Sequence, residues 1–245
     1  MRHTFRSVRT WSCLALLVTS VGAARAQAPA ATASTPAALR TATTTPVPAE
    51  PAAAGVVLET AEGDITLKLF PLDAPKTVAN FVKLVREGFY DGLTFHRVVP
   101  GFVIQGGDPN SRNDNPFDDG KGGPGYTVPA EFGRKHVRGA VATARMPDVV
   151  NPKRESNGSQ FYIALKDLPS LDGGYTVFAQ VVAGWDAIDR IVALAARKDI
   201  ARENDNANPG KLALIKHARV VGASALVPAK PATTGTAAAP DSTTH

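Results

Sequence analysis

Between Gly55 and Val227 the chain runs as short apolar segments parted by turns rich in glycine and proline. The segments are Val56–Leu58, Ile65–Leu69, Leu93–Val99, Phe102–Gln105, Gly139–Ala144, Phe161–Leu165, Thr176–Val182 and Leu212–Val221. The second alternates Ile65, Leu67 and Leu69 with Thr66 and Lys68, the period of a strand with one buried face. With Val56–Leu58 it flanks Ala61-Glu62-Gly63-Asp64, which reads as a hairpin. Two stretches have a helical period instead. Val78, Phe81, Val82 and Val85 fall at i, i+3, i+4 and i+7, after Pro75 and an acidic Asp73 and before a terminating Gly88. A second helix fits Trp185–Leu194, with Ile188, Ile191 and Val192 inward. Many strands, two short helices and no strand–helix–strand rhythm exclude a doubly wound sheet. They leave a mainly β fold, a barrel or a sandwich.

The ends of the 245-residue chain differ from this middle. Residues 27–54 and 228–245 are dominated by Ala, Pro and Thr and have no hydrophobic period. They read as a linker and a tail without a packed core. Residues 55–227 are then one domain of ordinary size. Residues 1–26 have the three parts of a signal peptide: basic Arg2, Arg6 and Arg9, an apolar Leu14–Ala24, and Ala24-Arg25-Ala26 as the cleavage site. The apolar part is shorter than the roughly 20 residues of a membrane span. Cleavage after Ala26 is expected, with the mature protein periplasmic or secreted and free of an integral membrane span. The net charge is +5, and removing Arg2, Arg6, Arg9 and Arg25 leaves +1, which gives no footprint for nucleic acid. The single cysteine, Cys13, leaves with the same segment, so neither a disulfide framework nor a cysteine-based zinc site is expected. A monomer is expected.

Three segments concentrate chemistry. Phe95-His96-Arg97 leads through Pro100-Gly101-Phe102-Val103-Ile104-Gln105 to Gly106-Gly107-Asp108. Asn157-Gly158-Ser159-Gln160-Phe161-Tyr162 follows later, then Leu171-Asp172-Gly173-Gly174-Tyr175. Aromatic residues beside a few fixed polar groups suit an apolar ligand groove. His136 and His217 lack partners at ligand spacing, so no metal site is expected. The Gly-rich run Gly120–Gly125 lacks the Ser or Thr of a phosphate loop. Phe95, Phe161 and Phe178 are expected in the core, and His96 is expected to be structural.

These segments resemble the cyclophilin family of peptidyl-prolyl cis-trans isomerases, in the manner of bacterial secreted members, from about Val56 to Val221. Ala74-Pro75-Lys76-Thr77-Val78-Ala79-Asn80-Phe81 and Gly122-Gly123-Pro124-Gly125-Tyr126 share the likeness. The resemblance implies a closed eight-stranded antiparallel β-barrel capped by two α-helices, a groove on its outer surface, and neither metal nor organic cofactor. It implies that Arg97 is catalytic, that Gln105 braces it, and that Phe102, Val103, Tyr162 and Leu171 receive a proline ring. Ala144, Arg145 and Gln160 match the stretch that binds the substrate backbone, and Tyr175 stands where animal members often have His. The chain departs from those members at Val103 for a common Met, Tyr162 for Phe, Arg145 for Asn and Ser170 for Trp. Members sensitive to cyclosporin carry that Trp.

The residue types suit the reaction so implied. Amide resonance sets a rotation barrier of roughly 18–20 kcal/mol, and uncatalysed X–Pro exchange takes roughly 10–100 s. No bond to carbon breaks, so no nucleophile is needed. The enzyme must favour the twisted amide, whose nitrogen lone pair leaves conjugation and becomes a better acceptor. A guanidinium is a fitting donor to that nitrogen or to the neighbouring carbonyl. The expected partners are proline-containing polypeptides, here exported proteins during folding. The rival reading is a chaperone-like module that holds X–Pro segments with little turnover. A barrel with an internal ligand is disfavoured because the inward positions carry Val, Ile, Leu and Phe.

Overall fold

The computed structural model describes residues 54–197 and 207–226. The expected signal peptide, nearly all of the linker, and the tail lie outside the described residues. Eight strands are described: β1 (Gly55–Thr60), β2 (Gly63–Leu69), β3 (Arg97–Val99), β4 (Val103–Gly106), β5 (Ala140–Thr143), β6 (Phe161–Ala164), β7 (Val177–Ala183) and β8 (Ile215–Val221). They form one antiparallel sheet in the order β3-β4-β6-β5-β7-β2-β1-β8. Two helices join it, α1 (Pro75–Arg86) and α2 (Trp185–Leu194).

No ladder joins the edge strands β3 and β8. Isolated bridges, Thr94 with Leu214 and Val98 with Ala207, make the closure instead. The Val98 N–H donates to the Ala207 carbonyl at 2.8 Å, and the Val98 carbonyl accepts the Ala207 N–H at 2.9 Å. The expected barrel is therefore a curled eight-stranded sheet with a seam. The apolar run Leu93–Val99 becomes a strand only from Arg97, where the ladder with β4 begins, while Thr94 makes an isolated bridge to Leu214 and the Phe95 N–H donates to the Ala213 carbonyl, at the end of a 3₁₀ turn over Gly210–Ala213.

Strand alternation divides the apolar residues between two faces. Inward lie Leu58, Ile65, Leu67, Ile104, Val141, Phe161, Ile163 and Phe178, all buried. Helix α1 adds Phe81, whose ring centroid lies 4.9 Å from Phe178, 5.1 Å from Tyr90 and 5.7 Å from Phe161. Helix α2 adds Ile188 and Ile191. Each such side chain stabilises the fold by about 1.5–3 kcal/mol on burial. Outward on β4, β5 and β6 lie Val103, Ala140, Ala142, Tyr162 and Ala164, which form a second, smaller apolar layer with Leu168 and Val177. Phe102, Leu171 and Tyr175 pack on it. This outer layer is the floor of the groove described below.

Helix α1 starts at Pro75 as expected, but its cap comes from a distant residue. Its N-cap is Ala74, which has no capping side chain. Asp73 instead bonds to the Arg134 guanidinium at 2.9 Å. The cap comes from Glu131, whose carboxylate accepts the backbone N–H groups of Lys76 at 3.0 Å and Thr77 at 2.8 Å. Its Oε2 also accepts the Thr77 hydroxyl at 2.8 Å. A carboxylate there satisfies orphan donors and meets the positive end of the helix.

Candidate active site

The turn between β3 and β4 sets the first pair. In the antiparallel register Arg97 stands opposite Gln105, and its Nη1 donates to Gln105 Oε1 at 3.3 Å. The guanidinium carbon lies 6.0 Å from the centre of the Phe102 ring. Burial lowers the Arg97 pKa from its ordinary value, and the Tyr175 hydroxyl opposes that shift. Arginine starts so high that it remains a cation at neutral pH.

The brace has a direction. Gln160 Nε2 donates to the Gly122 carbonyl at 2.8 Å, which turns its Oε1 toward Gln105. Gln105 Nε2 donates to that oxygen at 2.9 Å, so its own Oε1 must face Arg97. Each amide has one acceptor end and one donor end, so the Gly122 carbonyl orients both. Two glycines shape this corner. Gly107 has φ +86°, and a Cβ there would overlap the Ser159 carbonyl oxygen. Gly158, at φ +100°, leaves its carbonyl to accept from Asn80 Nδ2 at 2.6 Å.

Arg97, Phe102, Val103, Gln105, Ala144, Arg145, Tyr162, Leu171 and Tyr175 line one open groove of about 220 Å³. Drug-sized sites run to roughly 300–1,000 Å³, so this volume suits one or two residues of a chain. Nine of the ten residues singled out from the sequence thus meet on one wall or floor. Gln160 does not. It is 3% exposed and sits behind Gln105, so it reaches the groove only through that side chain.

Val103 and Tyr162 form the floor, from β4 and β6. One wall carries Leu171, at the end of a 3₁₀ turn over Pro169–Leu171, and Tyr175. Arg145 covers Tyr175 with its guanidinium 4.6 Å from the ring centre. Its Nε donates to the Gly174 carbonyl at 2.7 Å and its Nη1 to Asp148 at 2.5 Å. Arg154 also bonds Asp148, at 2.7 Å, and hydrogen bonds from Arg145 lead the causes that lower the Asp148 pKa. Arg145 is thus fixed to its own wall.

Two groups beneath the groove escaped the sequence reading as site residues. The Tyr162 hydroxyl lies 2.9 Å from His136 Nε2. His136 Nδ1 lies 2.9 Å from Asp172 Oδ1. These residues are far apart in sequence, and only the Tyr at a common Phe position hinted that a hydroxyl needed a partner. His96 is buried with neither ring nitrogen hydrogen-bonded, and burial lowers its pKa. Phe95, Phe161 and Phe178 lie in the inner core. Among the described residues no cluster of three or more His, Cys, Asp or Glu side chains has the geometry to hold a metal ion. No helix among them is long and apolar enough to cross a membrane.

Residues 55–220 match the family model described as cyclophilin type peptidyl-prolyl cis-trans isomerase/CLD. A peptidyl-prolyl cis-trans isomerase of Synechococcus elongatus is 48% identical over 125 residues, which cover 51% of this chain and 77% of that protein. The peptidyl-prolyl cis-trans isomerase B of Bacillus subtilis is 47% identical over 123 residues, 50% of this chain and 78% of that one. Among solved structures, a cyclophilin type isomerase of Cryptosporidium parvum, determined in the presence of the dipeptide Ala-Pro, superposes with a TM-score of 0.55 at 29% identity. That match covers 69% of this chain and 99% of the other.

Proposed function

Since the chain belongs to the family of cyclophilin-type peptidyl-prolyl cis-trans isomerases and is such an enzyme, we propose that the outer groove is its active site and Arg97 its charge-stabilising donor. The observation that carries this reading is Arg97, held by Gln105 at the edge of an apolar floor. The proline ring rests on Val103 and Tyr162, between Phe102 and Leu171. The chain on the N-terminal side of the X–Pro bond then swings while the ring stays gripped. As the amide twists, its nitrogen lone pair accepts from the guanidinium, a bond absent from either planar isomer. An interaction present only in the twisted state lowers the barrier, and each ~1.36 kcal/mol is worth tenfold in rate. Gln105, oriented through Gln160, keeps the fork in place, so no reorganisation is needed during rotation.

Ala144, Arg145 and Tyr175 border the groove where the neighbouring residues of a peptide would run. The substrates in this reading are proline-containing segments of exported proteins, because residues 1–26 have the parts of a signal peptide. Mass spectrometry of the protein from its native host tests the export. A mature chain starting at Gln27 supports it, and a retained Cys13 overturns it.

The catalytic assignment is tested by a protease-coupled or NMR exchange assay on a prolyl peptide. Arg97→Ala should lose about 10²–10³ in kcat/KM, the scale of one preorganised donor. Arg97→Lys should also fail, because an ammonium lacks the planar fork. Near-wild-type turnover in Arg97→Ala would remove the mechanism. Peptide binding without turnover in the wild type would favour the holding module instead.

A further inference from the structure

We propose that His136 and Asp172 are positioning residues of this isomerase, holding the Tyr162 hydroxyl away from the groove so that the tyrosine ring forms a fixed floor for the proline ring. The proposal rests on the groove being the active site. Tyr162 is 5% exposed, so its hydroxyl needs an internal partner. His136 supplies it at 2.9 Å, from a side chain with no exposed surface.

The direction of the chain follows from Asp172. Its Oδ1 accepts the backbone N–H of His136 at 2.8 Å and faces His136 Nδ1 at 2.9 Å. These two bonds lead the causes that lower the Asp172 pKa, so it is an ionised acceptor. His136 Nδ1 therefore carries a proton, and in the neutral imidazole Nε2 is then the acceptor and the Tyr162 hydroxyl donates.

Two consequences reach the groove. The only proton of the Tyr162 hydroxyl points away from the substrate, so the floor offers no donor to compete with Arg97 for the amide. The ring also cannot turn toward water without breaking that bond, and Tyr175 packs edge-on against it at 82° and 5.8 Å. Asp172 directly follows Leu171, so the same chain ties the floor to the wall. Strand β6 is already paired with β4 and β5, and its inner residues Phe161 and Ile163 carry the core contacts. Loss of the relay on its outer face should therefore spare the fold.

The test separates kcat from KM on one prolyl peptide for the wild type, Arg97→Ala, Tyr162→Phe, His136→Leu and Asp172→Ala. His136→Leu and Asp172→Ala are each also combined with Tyr162→Phe. A floor that grips the ring equally in the planar and twisted states acts on KM. His136→Leu should raise KM roughly tenfold, the scale of a stranded buried hydroxyl, with kcat within about twofold. Asp172→Ala should move KM the same way by less. Both effects should vanish when combined with Tyr162→Phe, because the hydroxyl they serve is gone. If His136→Leu does not fold, Asp172→Ala alone and combined with Tyr162→Phe decides the matter. Unchanged KM, a loss confined to kcat, or additive losses in the double variants would each overturn the relay. If Arg97→Ala collapses while the relay variants behave as wild type, the relay alone is wrong. If Arg97→Ala is also as active as wild type, the groove assignment has failed.

Discussion

Arg97 is held as part of a cross-strand pair, and Ser170 stands at the far rim where cyclosporin-sensitive members carry Trp. Ser170 is exposed, on the turn that carries Leu171 into the groove. Losing an aromatic anchor at an interface commonly costs about 2 kcal/mol or more, roughly thirtyfold in affinity. Cyclosporin should therefore inhibit this enzyme weakly, and Ser170→Trp should restore much of the inhibition with turnover nearly unchanged. An inhibition titration of both proteins checks this. His96 gives a second expectation. Burial depresses its pKa in the folded protein, whereas the unfolded chain has an ordinary histidine near 6.5. Below that value the unfolded state takes up the proton first, so stability is full above about pH 6.5 and falls as pH drops toward the depressed folded value. The slope is at most ~1.4 kcal/mol per pH unit for one proton. Denaturant midpoints at pH 7.5 and 5 should differ less in His96→Gln than in wild type. Arg97, Phe102, Val103 and Gln105 were legible because one hairpin brings near neighbours in sequence onto one face. His136 and Asp172 were not, because they reach Tyr162 only through the folded chain. Gln160 was expected at the substrate backbone from its place in the sequence block, and its amide bonds to Gln105 and to the Gly122 carbonyl.

At the scale of elements, alternation told strand from helix and also which side chains face out. Within β6, Phe161 and Ile163 fill the core while Tyr162 and Ala164 meet the groove. Helix α2 spans the expected Trp185–Leu194. Edges were less legible, since the end of a ladder depends on the partner: β3 is only the three residues that pair with β4. The cap of α1 was invisible for the same reason, as Glu131 lies more than fifty residues away. Its backbone N–H donates to the Thr176 hydroxyl at 2.9 Å, tying the helix start to the entry of β7. Glu131→Ala should destabilise the protein by about 1–2 kcal/mol, the range for losing an N-terminal cap. Glu131→Gln, which keeps an acceptor, should cost less. Thermal unfolding of the two variants measures the difference.

For the molecule as a whole, composition at the two ends and pattern in the middle point to one domain over residues 55–227, and the family match covers residues 55–220. A chain beginning at Gln27 has no cysteine, so its unfolding midpoint should be the same with and without reductant. The seam has a further consequence for how the molecule handles a ligand that changes outline by half a turn. Tyr162 stands on a strand with a paired neighbour on each side, whereas Arg97 stands on three residues at the margin of the curl, laddered only to β4. Amide exchange should accordingly start earlier at Phe95 and Val98 than at Tyr162 and Ile163. A mould equally rigid on all sides would grip one isomer and keep it. In the proposed mechanism the ring has an anvil beneath it, while the strand beside the bond is joined by a ladder on one side only, so either isomer has an open side to leave by.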